Sequence, residues 1–384
     1  MIDTDLLHKT KALRLTRRLM EEIASGRFAP GRPLPQQEDL ARQFEVSRPT
    51  LRKALDVLAS EGRLLRTPQG GLVVHIQSLS AGPESVDGSG STGFNSSTGI
   101  SIAAVWAAEP SELLIAFREG IKHYARSAGL ELQIILSPNG HEKALEVLTH
   151  IDQYPVRGVI VLPYANEDYV RALRALMDRG YPLVCIDRRV GDGGANSVEV
   201  DNAAGVYQAT HYLIEKYNRP AYMLPLPQEH TTNCDRYAGY RHAMAEAGYE
   251  KLIQSHTVIG EISDSDPTYW PLSRNWEPGF QAAQKLFDLA AGPMSVVCPN
   301  DFHAQGLYEA ARQRGLTVGR DVVVTGFDDC LLARRLSPAL TTVRQPMERV
   351  GFESAKLLHR LIAGQAKAPV HVHLPVELVI RESA

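Results

Sequence analysis

Hydrophobic residues follow one pattern in the first 76 residues of the chain and another from residue 100 onwards. In the first part leucines recur every three or four residues, as in Leu51, Leu55 and Leu58, which is the spacing of amphipathic helices. In the second part short apolar runs alternate with amphipathic stretches of helix length, beginning with residues 100–105 and 113–128. Continuous apolar strands separated by helices predict βαβ units and parallel sheets.

The helical part contains two short helices joined by a tight turn. The pattern predicts helices over residues 12–25 and 37–44, and a third that follows Ser47. Ser47 is suited to cap this third helix, and Pro49 is tolerated in its first turn. The tight turn joins the helix over residues 37–44 to the third helix and directs the start of the third helix outward. A helix-turn-helix domain reads the major groove of DNA in this way.

Residues 64–74 read as a strand, a glycine-containing turn and a second strand, which predicts a wing after the helices. Residues 1–76 contain 13 Lys and Arg against 9 Asp and Glu, a net charge of +4, whereas the whole chain carries −3. A basic segment suits a polyanion, so we expect operator DNA as a partner. The candidate DNA-binding residues are Ser47, Arg48, Thr50, Arg52, Lys53, Gln69 and Gly70.

Arginine can read DNA sequence because its planar guanidinium donates two hydrogen bonds to guanine O6 and N7. Arg48 and Arg52 lie one turn apart near the start of the third helix, so both are candidates for such contacts. Either side chain could instead bind phosphate or belong to a solvated helix face, and the sequence does not decide between these roles.

The first 76 residues resemble the GntR family of bacterial regulators, whose pattern runs LPxxxxLAxxFxVSRxTxRxALxxLxxEG before a glycine-rich wing. The matching residues are Leu34, Pro35, Leu40, Ala41, Phe44, Val46, Ser47, Arg48, Thr50, Arg52, Ala54, Leu55, Leu58, Glu61 and Gly62. The chain departs from the family at Gln36, Gln37 and Glu38, where members often have Ser-Glu-Arg. The resemblance implies a winged helix-turn-helix domain, but the operator sequence cannot be taken from relatives.

Residues 77–99 have the composition of a flexible linker, with 7 Ser and 5 Gly among 23 residues. Glycines at 88, 90 and 93 match the GxGxxG pattern of dinucleotide sites, but neither a strand before them nor a helix after them is predicted. We therefore predict three segments: a DNA-binding domain at 1–76, a linker at 77–99 and an effector-binding and dimerisation domain at 100–384.

The alternating pattern of the third segment falls into two series, before and after residue 200, which predicts two lobes. In open α/β sheets ligands bind outside the carboxyl ends of the strands. Asp187, Asn300 and Asp328 each follow an apolar run, and Arg236 is predicted to open a helix. These four polar residues are therefore the first candidates for ligand contacts.

Residues 99–384 resemble the LacI/GalR family and its periplasmic-binding-protein relatives. The resemblance lies in separate stretches, at residues 200–202, 236–240, 299–301, 326–329, 340–346 and 377–383. Where the family usually has Gly-His, this chain has Tyr217 and Asn218, which alters only a turn. The resemblance implies a cleft between two lobes in which Asp187, Arg236, Asn300 and Asp328 bind effector hydroxyl groups.

The chemistry of these side chains agrees with that role. A carboxylate accepts hydrogen bonds from two vicinal hydroxyls, an amide accepts and donates, and a guanidinium offers a planar fork of donors. The alternative for each residue is a strand-end cap or a salt bridge between lobes. Two tryptophans are further candidates for the effector site, because an aromatic ring can stack on a sugar ring. The alternative is that they lie in the core or at the rim. The candidate effector-binding residues are Trp106, Asp187, Arg236, Trp276, Asn300 and Asp328.

These features predict an α/β protein with an N-terminal winged helix-turn-helix plus a two-lobed periplasmic-binding-protein-like domain of parallel sheets flanked by helices. A GntR-type reader joined to a LacI-type sensor resembles the arrangement of arabinose repressors. We expect a homodimeric, sequence-specific transcriptional repressor released from its operator by a small sugar-like effector, with a monosaccharide as the first expectation. An activator, or a regulator that needs a co-repressor, would use the same parts, and the identity of the effector stays open.

Other protein classes are disfavoured. Four cysteines lie far apart without a CxxC pair, which argues against a disulfide framework and a metal site. The N-terminus is too polar for a signal peptide and no apolar run approaches the ~20 residues that cross a bilayer, so we expect a cytoplasmic protein without membrane association. An enzyme is a remote rival, because HExxH, P-loop and GxSxG sequences are missing. We expect no catalytic residues and no cofactor.

Overall fold

The structure is a computed structural model in which the chain forms two compact units, residues 1–90 and 91–384. It describes residues 15–16, 18–19, 22, 28, 34–35, 37–44, 46–60, 64–66, 72–74, 99–106, 111–136, 142–164, 166–190, 194–224, 230–258, 275–290, 292–367 and 369–384. The predicted linker at 77–99 therefore lies, except for residue 99, outside the described residues. None of the described helices is both long and apolar enough to cross a membrane.

The first unit has the predicted helix-turn-helix and a two-stranded wing. Its elements are α1 (Gln37–Gln43), α2 (Arg48–Ser60), β1 (Leu64–Arg66) and β2 (Leu72–Val74). The two strands are antiparallel, with Leu64 opposite Val74. Leu51, Leu55 and Leu58 of α2 are buried in one core with α1, and the described residues of the predicted helix 12–25 are helical.

The second unit alternates strands and helices along most of its length. In chain order they are β3 (Ser101–Trp106), α3 (Glu112–Ala128), β4 (Glu131–Leu136), α4 (Glu142–Thr149), β5 (Val159–Val161), α5 (Glu167–Asp178), β6 (Leu183–Ile186), β7 (Asn196–Val200), α6 (Asn202–Tyr217), β8 (Ala221–Met223), α7 (Thr231–Glu246), α8 (Ile253–His256), α9 (Glu277–Leu289), β9 (Met294–Val297), α10 (Asp301–Gln313), β10 (Val322–Asp328), α11 (Leu331–Arg335), β11 (Thr341–Arg344), α12 (Met347–Ile362), β12 (His371–Leu374) and β13 (Glu377–Val379).

The first lobe is built on a six-stranded, fully parallel sheet with the order β12-β7-β6-β5-β3-β4. The sheet is flanked by helices, of which α12 packs against β5, β6 and β7 and α3 packs along α12. Strands β3, β5, β6 and β7 are buried over their whole length, as expected for strands covered on both faces.

The second lobe is built on a five-stranded sheet with the order β13-β11-β10-β9-β8. Helix α6 packs against β9, β10 and β11, and α10 packs against β10. Strands β8 to β11 are parallel, but β13 is antiparallel to β11. The prediction of parallel sheets flanked by helices is therefore confirmed, and β13 adds an antiparallel edge strand, because the chain enters β13 directly from β12 in the other lobe without a crossover helix.

The lobes are not two consecutive halves of the chain. The chain passes from the first lobe to the second at residue 201, returns at residues 345–346 and crosses again at residues 375–376. Strand β12 and helix α12 therefore belong to the first lobe although they follow most of the second in sequence. These crossings place Gln345 at the boundary between the lobes, next to the carboxyl ends of β10 and β11.

Candidate functional site

Helix α2 begins with a side-chain cap supplied by Ser47. The Ser47 Oγ accepts a hydrogen bond from the Thr50 backbone N at 3.3 Å and lies 2.8 Å from the Thr50 Oγ1. This confirms the predicted capping serine. Thr50 itself is only 3% exposed. The structure thus places the Thr50 side chain in the capping turn, whereas Ser47 is exposed.

The two arginines of the recognition helix project into solvent. The side chain of Arg48 is 67% exposed and its Nη2 lies 2.6 Å from the Glu38 Oε1, which is 60% exposed. Such a surface ion pair contributes little and can be exchanged for a DNA contact. Arg52 is exposed on the same helix. Lys53 lies on α2 but its side chain is outside the described part of the chain, as are Gln69 and Gly70 entirely.

In the second unit, three of the predicted residues lie at the carboxyl ends of strands. Asp187 follows β6 directly, Asn300 follows β9 and Asp328 is the last residue of β10, two residues beyond the predicted strand end. Asp187 has a φ of 62° and Asp328 a φ of 129°. Residues other than glycine rarely adopt such values, and strained backbone of this kind clusters at functional sites.

Arg236 lies in the second turn of α7, not at its start. The prediction was wrong because the first turn of α7, from Thr231, is polar and lacks the apolar periodicity that marks a helix. The Arg236 side chain is 7% exposed and its guanidinium carbon lies 3.9 Å from the centre of the Phe327 ring. Its Nε donates to the Asn202 Oδ1 at 2.8 Å and its Nη1 to the Pro299 carbonyl at 2.8 Å.

Electrostatic coupling shows that three of the candidates lie near one another. Burial raises the pKa of Asp328 to about 6, the Arg236 guanidinium opposes this rise, and the Asp187 carboxylate adds to it. The Gln345 Nε2 donates to the Asp328 Oδ1 at 2.6 Å, which also favours the ionised form. The charges of Asp187 in the first lobe and Arg236 in the second thus both act on the Asp328 carboxyl.

Asn300 caps the helix that follows it. Its Oδ1 accepts the His303 backbone N at 2.8 Å and lies 2.9 Å from the His303 Nδ1, so this oxygen caps α10. His303 was not predicted. Burial and the nearby Arg236 lower the pKa of His303 to about 4, and its buried Nε2 has no hydrogen-bond partner among the residues that the structure describes. The signal for His303 in the sequence is only its position one turn into the helix that Asn300 opens.

A second buried carboxyl, that of Asp301, was also missed although it follows Asn300 directly. Its Oδ1 accepts the Thr342 hydroxyl at 2.5 Å and its Oδ2 accepts the Cys330 backbone N at 3.0 Å. Burial and the Asp328 charge raise the pKa of Asp301 to about 8. Asp301 therefore joins the segment after β10 to β11.

The two tryptophans occupy different environments. Trp106, the last residue of β3, is 2% exposed and packs edge-on against Phe117 with 5.6 Å between ring centres. Trp106 therefore sits in the core of the first lobe. Trp276 is partly exposed just before α9, edge-on to Phe280 at 5.9 Å. Of the two, only Trp276 presents part of its surface outside the core.

Two arginines that follow Asp187 join the lobes and were not predicted. The Arg188 Nη1 donates to the His230 Nε2 at 2.8 Å, and the pKa of His230 is lowered to about 3 by burial and by Arg188, so its ring is neutral. The Arg189 Nη2 donates to the Asp235 Oδ2 at 2.7 Å and its Nη1 to the Glu199 Oε2 at 2.9 Å. These contacts hold the start of α7 against the end of β6.

Within the described part of the chain, no group of three or more His, Cys, Asp and Glu side chains is arranged to hold a metal ion. The chemistry available at the cleft is instead that of hydrogen-bond acceptors and donors. Asp187, Asp328 and Arg236 supply two carboxylates and one guanidinium around the ends of β6 and β10, an arrangement suited to a polar ligand rich in hydroxyl groups.

Comparison with known proteins identifies both units. Residues 11–74 match the gntR family of bacterial regulatory proteins, and residues 209–384 match the periplasmic binding protein-like domain. Among curated proteins, the HTH-type transcriptional repressor PurR of Escherichia coli O1:K1 is 28% identical over 352 residues, covering 90% of this chain and 96% of that protein.

Solved structures agree with this result. A regulatory protein of the LacI family from Chloroflexus aggregans is 25% identical with a TM-score of 0.62, covering 74% of this chain and 98% of that one. A complex of the transcriptional regulator CelR with cellobiose is 24% identical with a TM-score of 0.63, covering 91% of this chain and all of that one, and shows the shared fold. The chain is therefore a transcriptional regulator in which a GntR-family DNA-binding domain is fused to a LacI-type, periplasmic-binding-protein-like domain.

Proposed function

We propose that this regulator is a repressor that binds its operator as a homodimer in the cytoplasm and leaves the DNA when a small sugar-like effector binds between the lobes. In this proposal residues 1–76 read the DNA, residues 77–99 link the domains, and residues 100–384 bind the effector and dimerise. A single recognition helix in each chain reads one half-site, so a dimer matches a two-fold symmetric operator.

The observation that carries the proposal is the charged group at the strand ends. Arg236 and Asp328 are buried in the second lobe, and the Asp187 carboxylate of the first lobe lies near enough to raise the pKa of Asp328. An ionised carboxylate accepts two hydroxyls of a sugar and the guanidinium donates to a third oxygen. Because the group spans both lobes, a ligand bound there contacts all three side chains only when the lobes are close together.

The descriptions of the relatives support repression as the direction of regulation and sugars as the class of ligand. PurR carries the name of a repressor, and the solved CelR structure contains cellobiose. A LacI-family regulator from Enterococcus faecium, with a TM-score of 0.58, contains bound ribose. These descriptions concern those proteins, and they make sugars the first ligands to test on this chain.

The test has two stages. Selection from random duplex DNA with the full chain identifies a preferred operator, and fluorescence anisotropy then measures operator affinity with and without each sugar of a panel. The proposal expects at least one sugar to lower operator affinity by about 5- to 150-fold, the range typical of coupled sites. A sugar that strengthens operator binding would instead indicate a co-repressor, and a panel without any effect would contradict a sugar effector.

A further inference from the structure

Arg189 pairs with two carboxylates that belong to different lobes. It follows β6 in the first lobe, and its Nη1 donates to the Oε2 of Glu199, on β7 of the same lobe, at 2.9 Å. Its Nη2 donates to the Oδ2 of Asp235, on α7 of the second lobe, at 2.7 Å. One guanidinium can serve both carboxylates because its donors form a rigid planar fork. Arg189 therefore connects the lobes through a single side chain.

The two carboxylates differ in how deeply they are buried. The side chain of Glu199 is 1% exposed, whereas that of Asp235 is 31% exposed. Glu199 is also held within the first lobe, because the Ser197 hydroxyl donates to its Oε1 at 2.6 Å. Separation of the lobes would leave Arg189 paired with Glu199 and would break the contact with Asp235, whose carboxylate is already accessible to water.

Further contacts join the same two segments of the chain. The Arg189 backbone N donates to the Thr231 Oγ1 at 3.0 Å, and the Arg188 Nη1 donates to the His230 Nε2 at 2.8 Å. Thr231 is the first residue of α7, and Asp235 lies one turn further along this helix. The segment after β6 is thus attached to the beginning of α7 by side chains and by its backbone.

Another contact between the lobes lies elsewhere along their boundary. The Leu331 backbone N donates to the Glu112 Oε2 at 2.6 Å. Glu112 begins α3, which follows β3, and Leu331 begins α11, which follows β10. In the first sheet β5 separates β3 from β6, and in the second sheet β9 separates β10 from β8, the strand that precedes α7. Because this contact shares no residue with those of Arg189, a change at Asp235 that loosens it must act through separation of the lobes.

We propose that Arg189 is a latch that holds the two lobes together without a ligand, with Glu199 as its anchor and Asp235 as its release point. The latch acts between groups of the protein alone. Its release point is partly open to water, so dissolved salt weakens the latch by screening the two charges. Exposed ion pairs change an equilibrium by about 1.5- to 5-fold, which is the strength expected of this one.

The latch gives Arg189 a part in regulation that does not require contact with the effector. In the proposed function the effector favours the closed arrangement of the lobes, and the latch favours that arrangement beforehand. The strength of the latch therefore sets how much effector is needed for release of the operator. This consequence rests on the proposed function, whereas the latch itself does not.

Hydrogen exchange of the Leu331 backbone amide in the full chain tests the latch without ligand or DNA. Leu331 is the first residue of α11, so its N–H has no acceptor within the helix and is protected by Glu112 of the other lobe. Asp235→Asn removes the charge of the release point and leaves Arg189 paired with Glu199. The expected result is exchange of the Leu331 amide about two- to fivefold faster than in the wild type, measured by mass spectrometry with electron-transfer fragmentation.

Two controls separate the latch from effects within one lobe. Asp288→Asn removes a carboxylate that pairs with Arg314 at 2.6 Å inside the second lobe, so it should leave exchange at Leu331 unchanged. The Thr317 backbone N donates to the Asp321 Oδ2 at 2.8 Å, also inside the second lobe. Its amide is protected by a carboxylate as Leu331 is, and it should exchange at the same rate in every variant.

The conservative variant Asp235→Glu keeps the carboxylate and should keep the wild-type rate at Leu331. A folded Asp235→Asn protein with unchanged exchange at Leu331 would overturn the inference, because Arg189 would then only brace the segment after β6. If Asp235→Asn does not fold, the wild type is compared in about 0.05 M and about 1 M NaCl. Exchange at Leu331 should rise with salt relative to exchange at Thr317, and an unchanged ratio would contradict the latch.

These outcomes are independent of the test of the proposed function. Neither the variants nor the salt comparison uses a sugar or an operator, so failure of the latch would leave the sugar effector standing. A sugar panel without effect on operator affinity would in turn leave the latch standing.

Discussion

Asp301 and Asp328 are two buried carboxyls that lie close together and titrate as a pair. Burial raises the pKa of both, to about 8 for Asp301 and about 6 for Asp328, and the Arg236 guanidinium opposes the rise at Asp328. At pH 7 the pair therefore holds more protons in the folded chain than in the unfolded one.

This difference predicts how the stability of the second unit depends on pH. A carboxyl with a raised folded-state pKa stabilises the fold fully below its unfolded pKa of ~3.9, and this stabilisation is lost as pH rises through the folded value. Between pH 5 and pH 8.5 the melting temperature of the wild type should therefore fall relative to that of the Asp301→Asn variant, in which the side chain at position 301 cannot ionise. A difference of about 1 kcal/mol corresponds to about 2–4 °C in a domain of this size.

The matched control is Asp321→Asn. Asp321 is a partly exposed carboxylate whose pKa the Arg320 guanidinium lowers to about 2, so it does not titrate in the same window. Its melting curve should run parallel to that of the wild type from pH 5 to pH 8.5. Parallel curves for Asp301→Asn as well would contradict the assignment of a protonated Asp301.

At the DNA-binding end, the exposed Arg52 is predicted to read a base. Arg52→Ala should weaken operator binding by about 1–3 kcal/mol for each base that the guanidinium reads, and it should lower the ratio of operator to non-specific DNA affinity. Arg42→Ala is the matched control, because Arg42 is exposed at the end of α1, the helix that crosses the DNA backbone in this motif. The control should affect both kinds of DNA equally. An unchanged ratio for Arg52→Ala in anisotropy titrations would rule out base reading by this side chain.

Among the elements, helices α3 and α12 approach each other closely enough to exclude side chains. A Cβ atom added at Gly120 would lie 1.8 Å from the Glu348 carbonyl oxygen, and one added at Gly351 would lie 2.0 Å from the Phe117 carbonyl oxygen. The backbones are therefore in direct contact, so a side chain at either glycine would separate the two helices.

We predict that Gly351→Ala forces α3 and α12 apart and destabilises the second unit. Overpacking of this kind typically costs about 1–3 kcal/mol. Urea unfolding followed by circular dichroism measures the change, with Ser127→Ala as a control because Ser127 is exposed near the end of α3. An unfolding midpoint equal to that of the wild type would show that the helices can separate without cost.

Elements with an apolar repeat could be predicted from the sequence, and elements defined by distant contacts could not. The buried stripe of Leu51, Leu55 and Leu58 fixes α2, and the apolar runs fix most strands. The start of α7 was placed too late because Thr231 and the residues after it are polar. The antiparallel edge strand β13 depends on which lobe the preceding strand joins, which a local pattern does not contain.

The same limit applies to the candidate site. Asp187, Arg236 and Asp328 could be found because strand ends and a family resemblance point to them. The buried role of Asp301 depends on Thr342 and Cys330, which are 41 and 29 residues away in sequence. Trp106 shows the reverse case, since it was a candidate for stacking on a sugar ring but its ring packs in the core, which was its alternative.

For the whole molecule, an effector can act on DNA binding only if it binds one arrangement of the lobes better than another. Contacts between the lobes include Arg188 to His230, Arg189 to Asp235, and Glu112 to the Leu331 backbone. In the proposed function, a ligand between Asp187 and Asp328 adds to these contacts. In the proposed mechanism, the effector closes the lobes in each protomer of a dimer, and this closure affects the DNA-binding domains.

The central claim is that Arg236 and Asp328 bind the effector that releases the operator. The most direct test titrates the effector into the operator complex of the wild type, Asp328→Asn and Arg236→Ala, with Arg312→Ala on the exposed face of α10 as a control. The first two variants should stay on the operator at effector concentrations that release the wild type and the control, while all four bind DNA equally without effector. Release of the variants at the wild-type concentration would contradict the site, and loss of DNA binding without effector would show that these residues are structural.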